Sequence, residues 1–342
     1  MRATAAMPVA LLLSACGGGG SGGVGPFLPP PTVTVTDRRI LVAPGVSLHV
    51  RDWQSNRVDG ITFVLLPGFG ANAQHFNSLA PALAKRGRAV AISCRGFGQS
   101  DKPLPDATHR YDTQTLVDDV HAVLEALGIP RIVLGGHSLA GNQVTLFAGR
   151  YPQRVRGLIY LDNAFDYSKV PRSDEESPLL AEPEPTPADT ASLSSMIAFS
   201  KRVNRNWSAA MEADLIDKLE VLPDGSVRWG TPATIRTAMS EAGYAFSPDY
   251  TLVRVPGLVL TALPGDRRDM FPWLPATLDA ETEQAANEAI LLFNRVRPQD
   301  TARLFAALPP GSRQATFQPA THADFFIENE VALLGLIDGM GW

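Results

Sequence analysis

The apolar residues of this chain alternate between short continuous runs and stripes with helical spacing. Ile61 to Leu66 is a nearly continuous apolar run, as expected of a strand buried on both faces. Tyr111 to Leu127 instead places its apolar residues on one helical face and acidic residues on the other. The same patterns predict strands at 89–93, 132–134, 158–161, 255–262 and 314–317, and helices at 76–85, 143–150, 285–296 and 301–308. Strands that alternate with helices predict an α/β fold whose mainly parallel sheet is covered on both faces.

Two parts of the chain depart from this alternation. Thr32 to Val50 alternates between apolar and polar residues around Ala43-Pro44-Gly45, which predicts an antiparallel hairpin. From Asn163 to about Pro248, a proline- and acid-rich stretch is followed by three segments of helical character, at 196–207, 209–219 and 233–242. We interpret this part as an inserted cap. The predicted division is a first core part at 32–162, a cap insertion at 163–250 and a second core part at 251–342.

The amino-terminal segment is typical of a targeting sequence and not of a fold. Met1 to Ala15 carries one positive residue and then an apolar stretch, and a Gly/Ser-rich segment follows Cys16. Leu13-Ser14-Ala15-Cys16 resembles the lipobox of bacterial lipoproteins, in which the cysteine becomes the lipidated first residue of the mature chain. The resemblance implies a signal peptide at 1–15, a tether at 16–31, export to the bacterial cell envelope and membrane attachment through Cys16.

The composition argues against a nucleic-acid partner and against a bound metal. The 342 residues are 45% hydrophobic and 19% charged, and the net charge of −5 with scattered lysines and arginines argues against a nucleic-acid partner. If Cys16 is lipidated, Cys94 has no partner for a disulfide. The six histidines do not cluster with acids or cysteines at ligand spacing, so no metal is predicted.

Candidate chemistry begins at residues 131–142, RIVLGGHSLAGN. An apolar strand stops at two glycines, presents His137-Ser138 and continues as a helix start of small residues. A serine on such a turn holds its hydroxyl clear of the sheet, and its neighbours must be small because strand and helix approach closely. Gly136 and Ala140 flank Ser138 two positions away, with Ala140 in place of the more usual glycine. The pattern predicts a nucleophile elbow.

A serine hydroxyl needs a general base, and the base needs an acid that orients it. His322 is the only histidine after Ser138 and follows the last predicted strand, so it is the candidate base. Asp266 directly follows the preceding predicted strand and is our first choice of acid. Asp269, three residues on, and Asp162, at the end of the strand after the elbow, are the alternatives. The order serine, acid, histidine is that of one class of hydrolase.

Acyl transfer also requires donors for the negative oxygen of its intermediate. The backbone N–H groups of Leu139, after the nucleophile, and of Phe69, after the predicted strand at 61–66, are the expected pair. The segment from Gly68 to Ala73 also fits the dinucleotide fingerprint G-x-G-x-x-A. That fingerprint expects an acid at the end of the next strand, where this chain has Cys94-Arg95, so a nicotinamide cofactor is disfavoured.

Together these motifs resemble the α/β-hydrolase superfamily, from about Ile40 to the carboxyl terminus. GGHSLAG resembles the family's elbow, LLPGFG its oxyanion loop, and SCRGFGQSDKP the D-x-R-G-x-G-x-S loop of its epoxide hydrolase, dehalogenase and esterase-like branch. Cys94, Ala140 and Thr321 depart from the family patterns. The resemblance implies an eight-stranded, mostly parallel sheet with helices on both faces and a helical cap after the sixth strand.

Within that branch, epoxide hydrolases and dehalogenases carry an aspartate at the elbow, whereas this chain has Ser138. The resemblance therefore implies a serine hydrolase without a cofactor that cleaves a small to medium acyl ester or lactone through an acyl-enzyme. C–C bond hydrolysis and perhydrolysis by the same residues are alternatives, as is a tethered binding protein that has lost activity. Candidates for lining a substrate pocket, with simple packing as the alternative, are His75, Phe76, Trp207, Trp229, Phe246, Phe271 and Trp273.

Overall fold

The computed structural model describes residues 32–56, 60–163, 165–169 and 177–342. The strands within these ranges are β1 Val33–Ala43, β2 Val46–Ser55, β3 Ile61–Leu66, β4 Gly87–Ile92, β5 Ile132–His137, β6 Val155–Leu161, β7 Leu219–Val221, β8 Val227–Trp229, β9 Gly257–Ala262 and β10 Arg313–Phe317. The helices are α1 Leu79–Ala84, α2 Thr113–Ala126, α3 Ala140–Arg150, α4 Leu193–Val203, α5 Ala209–Lys218, α6 Ala233–Ala245, α7 Arg267–Met270, α8 Ala280–Ala307, α9 Phe325–Glu328 and α10 Glu330–Gly339.

Eight of the described strands form one sheet, in the order β1-β2-β4-β3-β5-β6-β9-β10. β2 pairs antiparallel with β1 and β4, and the other neighbours pair in parallel. The predicted α/β class with a mostly parallel, eight-stranded sheet is therefore confirmed. Because parallel strands end at the same edge of a sheet, the loops that follow β3, β5, β6, β9 and β10 meet there.

Both faces of the inner strands are buried, which explains the lack of alternation in their sequences. Val64 and Leu66 of β3 pack with α2 and α3 on one face. Phe63 and Leu65 pack with α1, α9 and α10 on the other face. Helices thus cover both faces of the strand that leads to the oxyanion loop.

The segment between β6 and β9 contains α4, α5, α6 and a small antiparallel hairpin formed by β7 and β8. It is attached to loops at the carboxyl edge of the main sheet. The Asn72 N–H donates to Asp214 Oδ1 at 2.8 Å, and the Thr231 hydroxyl donates to the Gly96 carbonyl at 2.7 Å. The segment predicted as a cap therefore contacts the loops that hold the candidate site residues.

The structure differs from the sequence prediction between β9 and β10. Two helices are predicted there, but α8 continues without a break through Pro298. A proline removes one helical hydrogen bond and usually ends or bends a helix. Tertiary packing outweighs that preference, because Ala286 near one end packs with Leu180 and Phe271, and Leu304 near the other end lies in the main core.

The amino-terminal predictions fall outside the described residues. The signal peptide at 1–15, the tether at 16–31 and the lipidation of Cys16 all lie in that part of the chain. None of the helices in the described ranges combines the length and the apolar character needed to cross a bilayer. Membrane attachment stays a prediction.

Arg95, in the loop after β4, and Asp119, in α2, form a buried ion pair. The guanidinium Nε and Nη2 donate to the two carboxylate oxygens at 2.7 and 2.5 Å. Only 3% and 5% of the two side chains are exposed. Because neither charge reaches solvent, each depends on the other for its solvation.

Substitution of Asp119 by alanine is expected to destabilise the protein by about 3–5 kcal/mol, because it leaves the Arg95 charge buried and unpaired. Asp118 provides a matched control on the same helix, since it is 53% exposed and pairs with Arg150 at the surface. Asp118→Ala is expected to change the free energy of unfolding by less than about 1 kcal/mol. Urea unfolding measures both changes, and equal effects would contradict the assigned role of the buried pair.

Candidate active site

Ser138 lies between the end of β5 and the start of α3. Its φ is +53°, in the left-handed region that side chains other than glycine seldom adopt. The conformation costs about 1–2 kcal/mol and is held by the Ser138 N–H, which donates to the Leu161 carbonyl at 3.2 Å. This is the geometry expected of a nucleophile elbow.

The small residues around Ser138 are required by close backbone packing. A Cβ on Gly136 would lie 2.7 Å from Val144 Cγ2, and a Cβ on Gly141 would lie 2.7 Å from the Asn163 carbonyl oxygen. The alanine at position 140 is tolerated because Gly136 leaves space beside it: a Cβ on Gly136 would lie 3.1 Å from the Ala140 Cβ. The departure from the usual motif therefore leaves the turn intact.

The structure brings Ser138, His322 and Asp162 together at the carboxyl edge of the sheet. His322 Nε2 lies 2.9 Å from Ser138 Oγ, and His322 Nδ1 lies 2.5 Å from Asp162 Oδ2. Asp162 follows β6 with a φ of +50° and is 1% exposed. Its other oxygen accepts the Ala262 N–H at 3.0 Å. The arrangement has the connectivity of a serine–histidine–acid triad.

The first choice of acid from the sequence, Asp266, is wrong. Its side chain caps the start of α7, accepting the Arg268 N–H at 2.8 Å, and its carboxylate lies 3.1 Å from Arg205 Nη1. Asp269, the second candidate, accepts the Gly265 N–H at 2.8 Å and also pairs with Arg205. Both carboxylates are thus used to fix the loop after β9 and not to orient His322.

A buried arginine also faces the acid. Arg297 Nη2, from α8, lies 3.8 Å from Asp162 Oδ2. Burial acts to raise the pKa of Asp162, but the Arg297 charge and the contact with His322 outweigh it and hold the pKa below its usual value. Asp162 is therefore a carboxylate near neutral pH.

Both predicted oxyanion donors are next in sequence to a residue at the elbow: Leu139 follows Ser138, and Phe69 follows Gly68, which packs against Ser138. A Cβ on Gly68 would lie 2.9 Å from Ser138 Cβ and 3.0 Å from His137 Nδ1, so the loop after β3 lies directly against the elbow. Within the described residues, the N–H groups of Phe69 and Leu139 make no hydrogen bond to the chain. Both amides are thus available as donors beside Ser138.

Two histidines hold the backbone of the loop that carries His322. His137 Nε2 lies 2.8 Å from the His322 carbonyl oxygen, and His75 Nε2 lies 3.0 Å from that of Ala323. Each of these nitrogens therefore carries the hydrogen and donates it. Burial lowers the pKa of both His75 and His137, so both rings are neutral. The sequence predicted His75 as a pocket-lining candidate, with packing as the alternative, and it predicted neither of these two hydrogen bonds.

Sequence analysis also missed Tyr167, which lies just after β6. Its hydroxyl is 3.5 Å from Ser138 Oγ. Burial raises its pKa to about 12, so the phenol keeps its proton near neutral pH. The ring packs edge-on against Phe165 and Tyr244. No motif marks this position, because its approach to the serine depends on the path of the chain after β6.

A cavity of about 540 Å³ lies between the cap and the loops of the site. It is bounded by Phe69 of the oxyanion loop and by Ala323, the residue after His322. His75, Trp207 and Trp229 also line it, in agreement with three of the predicted pocket residues. Its size and aromatic wall are those of a small-molecule pocket.

The other predicted pocket residues lie elsewhere. Phe271 and Trp273 pack against each other, with ring centroids 5.9 Å apart, and belong to a separate apolar cluster. Phe76 is fully buried in the core, and Phe246 is half-buried and outside the residues that line the cavity. Their aromatic character serves packing.

The described ranges contain neither a cluster of metal ligands nor a reactive thiol. No group of three or more His, Cys, Asp or Glu side chains there is arranged to hold a metal ion. Cys94 is a buried free cysteine, and burial raises the pKa of its thiol to about 12. A thiol in that state is neutral and a poor nucleophile.

Part of the chain matches a known protein family. The family model described as alpha/beta hydrolase fold matches residues 61–188, a range that includes Ser138 and Asp162. The chain has the α/β-hydrolase fold. The mouse (Mus musculus) protein named bifunctional epoxide hydrolase 2 is 33% identical over 141 residues, which are 41% of this chain and 24% of that protein. The chain thus matches about a quarter of that relative's length.

Solved structures of the α/β-hydrolase fold match most of the chain. E-2-(acetamidomethylene)succinate hydrolase superposes with a TM-score of 0.63 at 20% identity, covering 90% of this chain and 100% of that one. The enol-lactonase from Burkholderia xenovorans gives a TM-score of 0.57 at 18% identity, covering 89% and 100%. These matches confirm the fold.

Substitution of Gly68 by alanine is expected to destabilise the protein by about 1–3 kcal/mol, because the added methyl would overlap Ser138 and His137. Gly335 provides the control, since a Cβ there would meet nothing within 4 Å. Gly335→Ala in α10 is expected to stabilise the protein by about 0.5–1 kcal/mol through helix propensity. Thermal or urea unfolding compares the two, and a neutral Gly68→Ala variant would contradict the close packing of the loop on the elbow.

Proposed function

We propose that this protein is a serine hydrolase that cleaves a small to medium acyl ester or lactone through an acyl-enzyme. The observation that carries the proposal is the continuous hydrogen-bonded chain from Ser138 through His322 to Asp162, at 2.9 and 2.5 Å. A serine hydroxyl becomes a nucleophile when a base removes its proton during attack. The acid keeps the base in the correct tautomer and orientation.

In the first half of the reaction, Ser138 Oγ attacks the carbonyl carbon while His322 Nε2 takes its proton. Asp162 accepts a hydrogen bond from Nδ1 and stabilises the positive charge that develops on the ring. The N–H groups of Phe69 and Leu139 hold the negative oxygen of the tetrahedral intermediate, a contribution of about 3–4 kcal/mol for each donor. His322 then gives the proton to the leaving alcohol, and the acyl group stays on Ser138.

In the second half, water attacks the acyl-enzyme with His322 as base, and the carboxylic acid leaves. This step requires a carbonyl carbon in the covalent intermediate. Attack of Ser138 on an epoxide would instead leave an ether, which water does not hydrolyse in this way. The epoxide chemistry in the name of the mouse relative is therefore disfavoured for this chain.

The cavity favours substrates larger than acetate esters. Its volume of about 540 Å³ exceeds what an acetyl group fills, and Trp207 and Trp229 offer apolar surface to an acyl or alcohol chain. The solved enol-lactonase is by name a hydrolase of a cyclic ester, which is consistent with an ester or lactone substrate. C–C bond hydrolysis and perhydrolysis stay as alternatives on the same residues, and loss of activity in a tethered binding protein is the alternative of another class.

For location, we propose attachment to a membrane of the bacterial cell envelope through a lipid on Cys16. The support is the lipobox-like segment Leu13 to Cys16 and the Gly/Ser-rich residues after it. Metabolic labelling with a palmitate analogue tests this, with Cys16→Ser as the control. Labelling that persists in Cys16→Ser would contradict it.

Hydrolysis of p-nitrophenyl esters from acetate to palmitate by the full chain tests the proposed reaction. Ser138→Ala and His322→Ala are expected to abolish turnover, and Asp162→Asn to lower kcat by roughly 10³–10⁴-fold because the wrong tautomer of His322 is favoured. Asp266→Asn is the matched control. It keeps a side-chain oxygen that can cap α7 and removes only an exposed charge that faces Arg205, so kcat is expected to stay within about threefold of wild type.

Each outcome discriminates between the alternatives. Equal losses in Asp162→Asn and Asp266→Asn would contradict the assignment of the acid. Folded wild type that hydrolyses no ester and resists labelling by a fluorophosphonate at Ser138 would overturn the serine hydrolase proposal. Labelling without ester turnover would favour the C–C hydrolase alternative.

Tyr167→Phe is expected to lower kcat by about 3–10-fold, because the phenyl ring keeps its packing but loses a neutral donor beside Ser138. Tyr250→Phe is the control, since the Tyr250 hydroxyl is buried without a hydrogen-bond partner in the described residues. The same ester assay measures both variants. Unchanged kcat in Tyr167→Phe would show that the tyrosine serves packing alone.

A further inference from the structure

Arg297 is a buried cation that the proposed mechanism does not use. Its guanidinium lies over the rings of Phe165 and Phe293, at 3.0 and 4.4 Å from the two centroids. Only 12% of its side chain is exposed, and its Nη1 has no hydrogen-bond partner within the described residues. A charge in such surroundings is expensive unless an opposite charge is close.

Two carboxylates act on this charge: Asp300, three residues later in α8, and Asp162, the acid of the candidate triad. Arg297 Nη2 lies 3.8 Å from Asp162 Oδ2, which is the same oxygen that His322 Nδ1 contacts at 2.5 Å. The distance to the arginine is that of an ion pair and exceeds that of a hydrogen bond. Arg297 therefore acts on the charge of Asp162 without competing for the position that His322 occupies.

Asp162 needs such a partner because its own surroundings supply little else. It is 1% exposed, and apart from His322 its only hydrogen-bond donor among the described residues is the Ala262 N–H. The titratable or charged groups that face it are Arg297 from α8, His322 from the loop after β10, Tyr167 after β6 and His137 from β5. Tyr167 and His137 are neutral, so Arg297 is the one permanent positive charge of the set.

We propose that Arg297 is a positioning residue for the proposed reaction: it holds Asp162 ionised and aligned on His322, and thereby sets the lower pH limit of activity. The inference rests on the proposed function for its kinetic consequence. Its electrostatic part concerns the Asp162 carboxylate alone and can be measured without turnover.

The sign of the effect follows from the charge. Arg297 is the first of the groups that lower the pKa of Asp162, so its removal raises that pKa. Without Arg297, Asp162 takes up its proton at a higher pH, which moves the acid side of the kcat/KM profile to higher pH.

The experiment compares wild type with Arg297→Gln, Arg297→Met and Arg297→Lys in the full chain. Gln and Met remove the charge and keep an unbranched stem between the two rings, whereas Lys keeps the charge. Arg295→Gln, an exposed position on the same helix, is the control for loss of a positive charge. Circular dichroism checks that each variant is folded, and either neutral variant suffices if the other does not fold.

The first readout is the pH profile of kcat/KM on a p-nitrophenyl ester. Arg297→Gln or Arg297→Met is expected to shift the acid limb upward by about 1–3 pH units, with activity largely recovered above the new limb. Arg295→Gln is expected to keep the limb within about half a unit of wild type. Arg297→Lys keeps an amine but loses the planar group over the rings, so its limb is expected to lie between those of wild type and the neutral variants. Loss of activity at every pH with an unmoved limb would mean that Arg297 is merely structural and would overturn the proposal, as would no change.

The second readout is the carboxyl ¹³C signal of Asp162, assigned with Asp162→Asn and followed against pH. Its midpoint is expected to rise in the neutral variants and to rise less in Arg297→Lys; a midpoint that does not move in the neutral variants overturns the proposal. This measurement separates the two failures. If wild type hydrolyses no ester and Ser138 is not labelled, the proposed function fails, while the carboxyl titration still decides whether Arg297 controls Asp162.

Discussion

The hydrogen bond between Asp162 and His322 connects the part of the core that precedes the inserted segment with the part that follows it. The two residues are 160 positions apart in sequence, and His322 Nδ1 lies 2.5 Å from Asp162 Oδ2. Asp162 follows β6 and His322 follows β10, and only β9 lies between these two strands in the sheet. Everything else at the site depends on this hydrogen bond, because His322 can present Nε2 to Ser138 only when Nδ1 is held. The neutral His75 and His137 add to this by fixing the backbone on which His322 stands.

The sheet and the elbow could be predicted from sequence because both depend on local constraints. Buried parallel strands must be apolar on both faces, so runs such as Ile61 to Leu66 identify themselves, and the extent of β3 agrees with the prediction. Steric limits around Ser138 likewise restrict positions 136 and 141 to glycine. Helix α8 could not be predicted in full, since the packing of its two ends outweighs the local effect of Pro298.

The identity of the acid could not be decided locally. Asp162 and Asp266 both follow strands that end at the same edge, and β6 and β9 are direct neighbours, so topology allows either one to approach His322. The choice depends on the backbone after each strand. Asp162 adopts φ +50° and is buried, whereas Asp266 begins α7 and is committed to its cap. An aspartate that starts a helix satisfies N–H groups there, which is a signal that favours an acid elsewhere.

Helix α5 of the inserted segment contacts the same edge of the sheet, at the loop that carries Phe69. Asn72, three residues later, donates its backbone N–H to the Asp214 carboxylate of α5 and its side-chain N–H to the Asp214 carbonyl, at 2.8 and 2.9 Å. All four groups are buried, so separation of α5 from the core would give up two buried hydrogen bonds, each with a net contribution of about 0.5–1.5 kcal/mol.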